Sequence, residues 1–320
     1  MAGVLVLGEA LEGAAAASTL EAIAAGRALG GPVAAAIIGD GAKSAAQDAI
    51  AHGADSAFVC EGGLGPEAAA AFAEQTAAAS APRVVLGAKA LLDGSVMARA
   101  AYRLGAGLLQ DCASVALDAD GRLTATRPVY GGNAMAAFRA SGSPAAASLR
   151  ARAYEALERD DSRAGSIVPI EVDAAAHTRL RVVERVRRPQ EGVRLEDARV
   201  VVGGGRGLGG PEAFAQLEEL ARLLRGAVGA SRAACDAGWV PPSYQIGLTG
   251  RTVAPDLYLA VGISGASQHM AGCSGARDIV AINKDAGANI FKEARFGVVG
   301  DWRQVLPAFV DQLHELLSDR

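Results

Sequence analysis

Short apolar runs alternate with longer Ala-rich runs of helical period over the first 110 residues. This alternation is typical of a βαβ chain in which strands lie side by side in a parallel sheet. The predicted strands are Val4 to Leu7, Val33 to Ile38, Ser56 to Cys60 and Arg83 to Leu86. The predicted helices are Thr19 to Leu29, Ala42 to His52, Pro66 to Ala79 and Ser95 to Leu104.

From about Cys112 the pattern changes to strand, turn, strand. Residues 113–117 and 123–126 flank the turn sequence Asp-Ala-Asp-Gly, which predicts an antiparallel hairpin added to the first domain. A stretch rich in arginine and poor in apolar residues follows at 181–198, and it predicts a linker at 186–197 between domains 1–185 and 198–320.

A second alternation of strands and helices fills the last third of the chain. Its predicted elements are strands at 199–202, 227–229, 257–261, 279–282 and 296–299, a helix at 211–224 and a closing helix with one apolar face. That face carries Val305, Leu306, Phe309, Val310, Leu313 and Leu317. The predicted fold is therefore α/β, with two doubly wound, Rossmann-like parallel-sheet domains and a hairpin added to the first.

Composition narrows the class of protein. With 320 residues, 51% hydrophobic and 21% charged, the chain is long enough for two buried cores and is neither a disordered nor a coiled-coil protein. A formal charge of −4 disfavours a general nucleic-acid binder. No basic leader or long apolar segment is evident, so we expect a soluble, cytoplasmic protein. The four cysteines form no CxxC pair; this predicts core thiols and no metal site.

Candidate chemistry gathers after the strands of the second domain. Glycines or polar residues follow each strand at 203–210, 231–232, 262–269, 283–285 and 300–301. Because the carboxyl ends of parallel strands share one edge, these segments predict a single crevice.

Two of these segments have the pattern of anion-binding loops. Residues 205–210 fit GxGxxG between a strand and a helix, although a tight turn without a ligand also explains that match. No acidic residue ends the next strand, where Ser231 and Arg232 stand, so a nicotinamide site fits poorly. The segment 262–269 brings His269 to a helix start, from which it could donate to a ligand that accumulates negative charge.

With these residues in view, the sequence resembles the α subunit of electron-transfer flavoproteins. The resemblance lies in VVVGGGRGL (200–208), VGASRAACDAGW (228–239), the TG pair at 249–250, LYLAVGISGASQHMAGC (257–273) and IVAINKDAGANIF (279–291). It extends more faintly from VLVLGEA near the N-terminus to VYGGNAMA near residue 130.

The resemblance implies an FAD held by the second domain and a β subunit that completes a heterodimer and carries AMP. It implies cofactor contacts from sixteen residues: Arg206, Ser231, Arg232, Ile246, Gly247, Leu248, Thr249, Ser264, Gly265, Ala266, Ser267, Gln268, His269, Asn283, Asp301 and Trp302. Arg232, Thr249 and His269 match the positions nearest the flavin ring. Leu248 replaces the second glutamine of the family's QxGQTG pattern.

The implied function is electron transport without a substrate of the protein's own. Electrons would pass from flavin dehydrogenases, such as the acyl-CoA dehydrogenases of fatty acid β-oxidation, to a membrane quinone oxidoreductase. The first domain would pack against the β subunit. Two alternatives are a nicotinamide-dependent oxidoreductase and an electron-bifurcating member of the same family.

Overall fold

The chain divides into two compact units, Met1–Arg185 and Val186–Arg320. The computed structural model describes residues 3–132, 134–178 and 193–318. Most of the predicted linker, residues 186–192, lies outside the described residues. Its last residues belong to the second unit, because Leu195 is buried in that unit's core and Glu196 pairs with Arg251 at 2.8 Å.

The first unit is built on a sheet of seven parallel strands in the order β11-β4-β3-β1-β5-β10-β6. The short strand β2 pairs antiparallel with β1. The strands of this sheet are β1 (Val4–Leu11), β2 (Ala14–Ala15), β3 (Val33–Gly39), β4 (Ser56–Glu61), β5 (Val84–Ala88), β6 (Gly107–Cys112), β10 (Ala145–Leu149) and β11 (Ser166–Pro169). The helices of the unit are α1 (Ala17–Ala28), α2 (Ala42–Ala51), α3 (Pro66–Ser80), α4 (Val96–Arg103) and α5 (Ala174–His177).

The predicted hairpin is present, and it carries a third strand. Strands β7 (Ser114–Leu117), β8 (Leu123–Val129) and β9 (Ala134–Arg139) form an antiparallel sheet of their own. The turn between β7 and β8 is held by Asp118, whose carboxylate accepts from the backbone amides of Asp120 and Arg122 at 2.9 Å.

Alanine allows the first unit's helices to pack close to its sheet. In α3, Ala68, Ala69 and Ala70 are fully buried beside Phe72. Small side chains on the helices face larger apolar residues of the strands in cores on both sides of the parallel sheet. The Ala-rich composition therefore follows from close helix–sheet packing.

The carboxyl ends of the first unit's strands hold charges that neutralise one another. Asp111 contacts Lys89 at 3.1 Å and Arg150 at 3.3 Å, and its backbone amide donates to Ser148. Burial would raise the pKa of Asp111, but the two cations outweigh it and hold that pKa below the ordinary value. At α2, the Glu61 carboxylate accepts from the amides of Gly41 and Lys43 and so satisfies the start of that helix.

The second unit has one parallel sheet in the order β13-β12-β14-β15-β16. The strands are β12 (Val200–Gly204), β13 (Ala227–Ala230), β14 (Leu257–Val261), β15 (Asp278–Asn283) and β16 (Phe296–Val299). The helices are α6 (Ala213–Leu223), α7 (Arg232–Asp236), α8 (Ser267–Cys273), α9 (Ile290–Glu293) and α10 (Trp302–Ser318). This is the 2-1-3-4-5 order of doubly wound folds, in which the strand order reverses between the first and third strands. The parallel α/β prediction is confirmed.

The predicted face of the closing helix packs on this sheet. Leu306 is buried, and Val305, Phe309, Val310 and Leu313 are partly buried against the same core. Strand β16 is the edge strand beside β15, and all four of its residues are exposed, including Phe296, Val298 and Val299. All four cysteines are buried thiols, as predicted.

Candidate cofactor-binding site

A cavity of about 710 Å³ lies in the second unit at the carboxyl ends of its strands. It includes the point between β12 and β14 where the strand order reverses, which is where doubly wound sheets bind ligands. Its lining residues are Arg206, Gly207, Ser231, Arg232, Ala233, Asp236, Gln245, Ile246, Gly247, Leu248, Thr249, Gly262, Ile263, Ser264, Ala266, Gln268, His269, Asn283, Asp285 and Ala288.

The loops that follow β12 and β14 touch each other at this point. The Gly205 amide donates to the Val261 carbonyl at 2.9 Å, and the Gly207 amide donates to the Gly262 carbonyl at 3.0 Å. A Cβ at residue 205 would lie 2.1 Å from the Gly262 oxygen. Glycine is therefore required here by contact between two backbones.

This contact limits the number of amides that the GxGxxG loop can offer to an anion. Besides Gly205 and Gly207, Leu208 and Gly209 also donate within the loop, to the carbonyls of Gly205 and Arg206. Those four amides are used in packing and turning the chain. The loop's contribution to the cavity is Gly207 and the side chain of Arg206.

The loop after β14 carries the available amides. Within the described ranges, the backbone amides of Ser264, Gly265 and Ala266 donate to no protein acceptor. Gly265 has a φ of +76°, and a Cβ there would lie 2.3 Å from the Ile290 nitrogen, so only glycine makes this turn. Ser264, Ala266 and Gln268 line the cavity beside these amides.

A third loop, residues 245–251, is held on two sides. The Ile246 amide donates to the Ala230 carbonyl of β13 at 2.9 Å, and the Leu248 amide donates to the Gln268 carbonyl of α8 at 2.7 Å. The substitution at Leu248 therefore leaves the backbone path fixed. The Leu248 side chain is 70% exposed, so the change from glutamine replaces an amide group with an exposed apolar one.

The Thr249 hydroxyl is oriented by its own loop. The Gln245 side-chain amide donates to Thr249 Oγ at 3.0 Å. Because that bond uses a lone pair of the oxygen, the hydroxyl proton remains available to an acceptor in the cavity.

Two polar groups of the cavity wall have no protein partner. The Ser231 Oγ is buried and unpaired, and the Arg206 guanidinium has no hydrogen bond or ion pair within the described part of the chain. Buried hydroxyls in native proteins are normally satisfied, so an orphaned one in a cavity wall points to a ligand atom.

Arg232 is an exposed cation that is already paired. Its Nε lies 3.2 Å from a carboxylate oxygen of Asp236, one helical turn later on α7. Both side chains are about two-thirds exposed, so solvent screens the pair. Asp236 also lines the cavity, and the i, i+4 spacing in the sequence was the signal that could have identified it.

His269 is buried, and both of its ring nitrogens bond to protein. Nδ1 lies 3.1 Å from the Ile246 carbonyl, and Nε2 lies 2.8 Å from the Tyr258 hydroxyl. Burial lowers the pKa of His269 to about 4, so the ring is neutral near pH 7. In the neutral ring the single N–H faces the Ile246 carbonyl, and donation from His269 to a ligand stays a prediction.

Twelve of the sixteen predicted contact residues line this cavity, and Gly265, Ser267, Asp301 and Trp302 do not. Ser267 begins α8 beside Gln268. The Asp301 carboxylate accepts from the Arg303 backbone amide at 3.0 Å. Trp302 is the first residue of α10 and is buried in the core of the second unit. Asn283 lines the cavity, and its side-chain amide donates to the Ile263 carbonyl at 2.9 Å.

Eight lining residues are not among the sixteen predicted contacts: Gly207, Ala233, Asp236, Gln245, Gly262, Ile263, Asp285 and Ala288. Four of them, Gly207, Gly262, Ile263 and Asp285, belong to the segments that the sequence predicted to converge on the crevice. The small residues among them, such as Ala233 and Ala288, carry no chemical signal by themselves.

Fold and cavity together define a class: a two-unit α/β protein whose second unit has the form of a nucleotide-cofactor domain. Residues 4–175 match the electron transfer flavoprotein domain, and residues 194–274 match the electron transfer flavoprotein FAD-binding domain. The chain is 40% identical over 321 residues to the electron transfer flavoprotein subunit alpha of Bacillus subtilis, covering 98% of each chain. It is 41% identical over 320 residues to the Paracoccus denitrificans subunit of that name, covering 97% of this chain and 99% of that one.

Protein FixB of Clostridium saccharobutylicum is 41% identical over 223 residues, which cover 69% of this chain and 66% of that protein. The chain belongs to the electron transfer flavoprotein alpha-subunit family, and its role is electron transfer. No helix in the described ranges has the length and apolar character needed to span a membrane.

Proposed function

We propose that this chain holds FAD in the cavity of its second unit and acts as the α subunit of a two-subunit electron carrier. The observation that carries the proposal is the buried, unpaired Ser231 hydroxyl in the cavity wall, together with the exposed Arg206 guanidinium, which has no partner among the described residues. Together they offer a hydroxyl and a cation to a ligand that carries both hydrogen-bonding groups and negative charge.

The donor set suits the three chemical parts of FAD. A guanidinium and free backbone amides suit a pyrophosphate. The side chains of Ser264, Gln268 and Asn283 suit hydroxyl groups, and the Thr249 proton suits a ring nitrogen. A cavity of about 710 Å³ falls in the usual range for cofactor sites.

When bound, the flavin would supply reversible uptake of electrons, and the protein would supply position and electrostatics. The Arg206 guanidinium would attract the negative charge of the ligand to the loop after β12. Thr249 would hold a proton at its Oγ toward a ring acceptor, while Gln245 keeps that hydroxyl oriented. Arg232 would attract a reduced, negatively charged ring, and its Asp236 partner would weaken that attraction.

The finer parts of the proposal concern partners. A β subunit would complete a heterodimer and carry AMP, and the first unit would pack against it. The electron donors would be flavin dehydrogenases such as acyl-CoA dehydrogenases, and the acceptor would be a membrane quinone oxidoreductase. Family membership and the name "subunit alpha" of the full-length relatives support a second subunit, and the AMP, the donors and the acceptor follow from the resemblance to the family.

The test is co-expression of the full chain with its β partner, followed by extraction and quantification of the bound flavin. We expect a yellow complex that contains FAD, and an Arg206→Ala variant that retains FAD about tenfold to a hundredfold less tightly, because a charge-assisted contact is lost. Arg225→Ala, which removes an arginine that does not line the cavity, is the control. A colourless protein that is saturated by NAD(H) would overturn the proposal in favour of a nicotinamide-dependent oxidoreductase.

A further inference from the structure

Two hydrogen bonds connect Tyr258, His269 and Ile246 at one side of the cavity. Tyr258 is the second residue of β14 and is fully buried, and its hydroxyl lies 2.8 Å from His269 Nε2. His269 Nδ1 lies 3.1 Å from the carbonyl oxygen of Ile246, which belongs to the loop that lines the cavity. The chain of contacts therefore runs from the sheet, through α8, to the loop 245–251.

The direction of each bond follows from the chemistry of its ends. A carbonyl oxygen can only accept, so the ring proton must stand on Nδ1. In the neutral ring Nε2 is then an acceptor, and the Tyr258 hydroxyl must donate to it. Both bonds are satisfied by this one tautomer, and no ring N–H is left for a molecule in the cavity.

The space for the phenol is provided by a glycine. A Cβ at Gly203 would lie 2.2 Å from the Tyr258 hydroxyl oxygen. Any larger residue at 203 would displace the phenol from its position beneath His269. The Tyr258 phenol therefore explains why residue 203 is a glycine.

The loop end of this chain of bonds is fixed at two points. The Ile246 carbonyl accepts from His269, and the Leu248 amide donates to the Gln268 carbonyl. Both contacts attach the loop to α8. Thr249 follows directly, so the position of its hydroxyl depends on this attachment.

We propose that Tyr258 is a positioning residue of the cofactor site: it fixes the tautomer of His269, and the imidazole in turn anchors the Ile246 carbonyl and the loop that carries Thr249. His269 thereby acts on the site through the loop backbone as well as by lining the cavity. The hydrogen-bond assignment stands on the chain alone, and its effect on a bound flavin rests on the function proposed above.

The first test is nitrogen NMR of the full chain labelled with ¹⁵N-histidine, with the His269 signals assigned by their loss in His269→Asn. Near pH 7 we expect a neutral ring with its proton on Nδ1. In Tyr258→Phe the Nε2 signal should move toward that of an unbonded nitrogen. Tyr244→Phe is the matched control, because the Tyr244 hydroxyl has no hydrogen bond to the described residues. A proton on Nε2, an imidazolium, or equal spectra for the two tyrosine variants would overturn the proposal.

The second test separates the two bonds of the imidazole and remains decisive if Tyr258→Phe fails to fold. The amide of asparagine can occupy the position of Nδ1 and donate to Ile246, whereas that of glutamine can occupy the position of Nε2 and accept from Tyr258. We therefore expect both variants to retain FAD less tightly than the wild type, and His269→Gln to retain it about fivefold less tightly than His269→Asn. The opposite order would contradict the anchoring role.

The two tests also separate this inference from the proposed function. If the complex holds no flavin, the proposed function fails, and the NMR measurement still decides the tautomer. If FAD binds but the tautomer is wrong, only the positioning role of Tyr258 is lost.

Discussion

Each unit has a parallel sheet, and the polar groups at the carboxyl ends of the two sheets differ in whether they have protein partners. In the first unit, Asp111 is held by Lys89 and Arg150, and Glu61 satisfies the start of α2. In the second unit, Arg206 and the Ser231 hydroxyl have no partner among the described residues. A parallel sheet therefore supplies a possible site in both units, but the strand-end groups Asp111 and Glu61 of the first unit have protein partners, whereas Ser231 and Arg206 of the second unit are left to a ligand.

The largest effect that would test this comparison comes from the backbone contact at Gly205. We expect Gly205→Ala to destabilise the second unit by about 2–4 kcal/mol and to abolish flavin retention, because the Cβ meets the Gly262 carbonyl. Urea unfolding followed by tryptophan fluorescence reports on this unit alone, since both tryptophans of the chain, Trp239 and Trp302, belong to it. Gly107→Ala in the first unit, where a Cβ would meet nothing within 4 Å, should change stability little. Equal effects of the two changes would contradict the loop contact.

Acid should affect the two units in different pH windows. The pKa of His269 is lowered from 6.5 to about 4 by burial, so its contribution is present above pH 6.5 and is lost as the pH falls toward 4. The loss is on the order of 3 kcal/mol at most. Asp111, whose pKa is lowered from 3.8, keeps its contribution until the pH falls below about 4.

Tryptophan fluorescence at a series of pH values measures the second unit, and hydrogen exchange of peptides from β6 and β10 measures the first. His269→Asn is the control, because it removes the titrating ring and should flatten the pH dependence of the second unit between 6.5 and 4. A wild-type second unit whose stability is constant over that range would contradict the buried, neutral imidazole.

One serine in each unit tests this difference, because the Ser231 hydroxyl is unpaired and the Ser148 hydroxyl is hydrogen-bonded. Ser231→Ala should leave the flavin-free second unit unchanged or stabilise it by up to about 1 kcal/mol, while FAD retention falls about fivefold, because an orphaned hydroxyl is removed. Ser148→Ala should destabilise the first unit by about 1 kcal/mol, because Ser148 accepts from the Asp111 amide at 3.1 Å. Calorimetry of the flavin-free and flavin-loaded forms measures both. If Ser231→Ala destabilises the flavin-free protein, its hydroxyl has a protein partner and the comparison fails.

The smallest effect concerns the exposed pair on α7. Arg232→Ala should lower the potential of the first flavin reduction, and Asp236→Asn should raise it, each by about 10–40 mV, because each change removes one charge of a screened pair. Stepwise reductive titration measures these shifts. Shifts of the same sign in the two variants would show that the charges do not act on the flavin.

The architecture could be predicted where strands and helices alternate with clear punctuation. The strands of the second unit were placed within about two residues, because a glycine or a polar residue follows each of them directly. Strands β2, β6, β9, β10 and β11 were not predicted. The sequence of β10, Ala-Ala-Ala-Ser-Leu, has no alternation that distinguishes a strand from a helix, and β11 follows a charged segment.

The site could be located from the sequence, but the assignment of its bonds could not. Convergence of strand ends is a property of topology, so it follows from the strand pattern alone. That the amides of Gly205 and Gly207 bond to another loop, and that Tyr258 bonds to His269, depends on contacts between distant parts of the chain. The resemblance to a family supplied the residues, and the structure supplied their hydrogen-bond partners.

Strand β16 has a practical consequence for work on the isolated second unit. It pairs with β15 on one side only, and Phe296, Val298 and Val299 are exposed along it. Edge strands with exposed apolar side chains favour aggregation by strand addition between molecules. A fragment that begins near residue 193 would therefore be expected to self-associate at high concentration, and a lysine in place of Val298 would be the first substitution to improve its solubility.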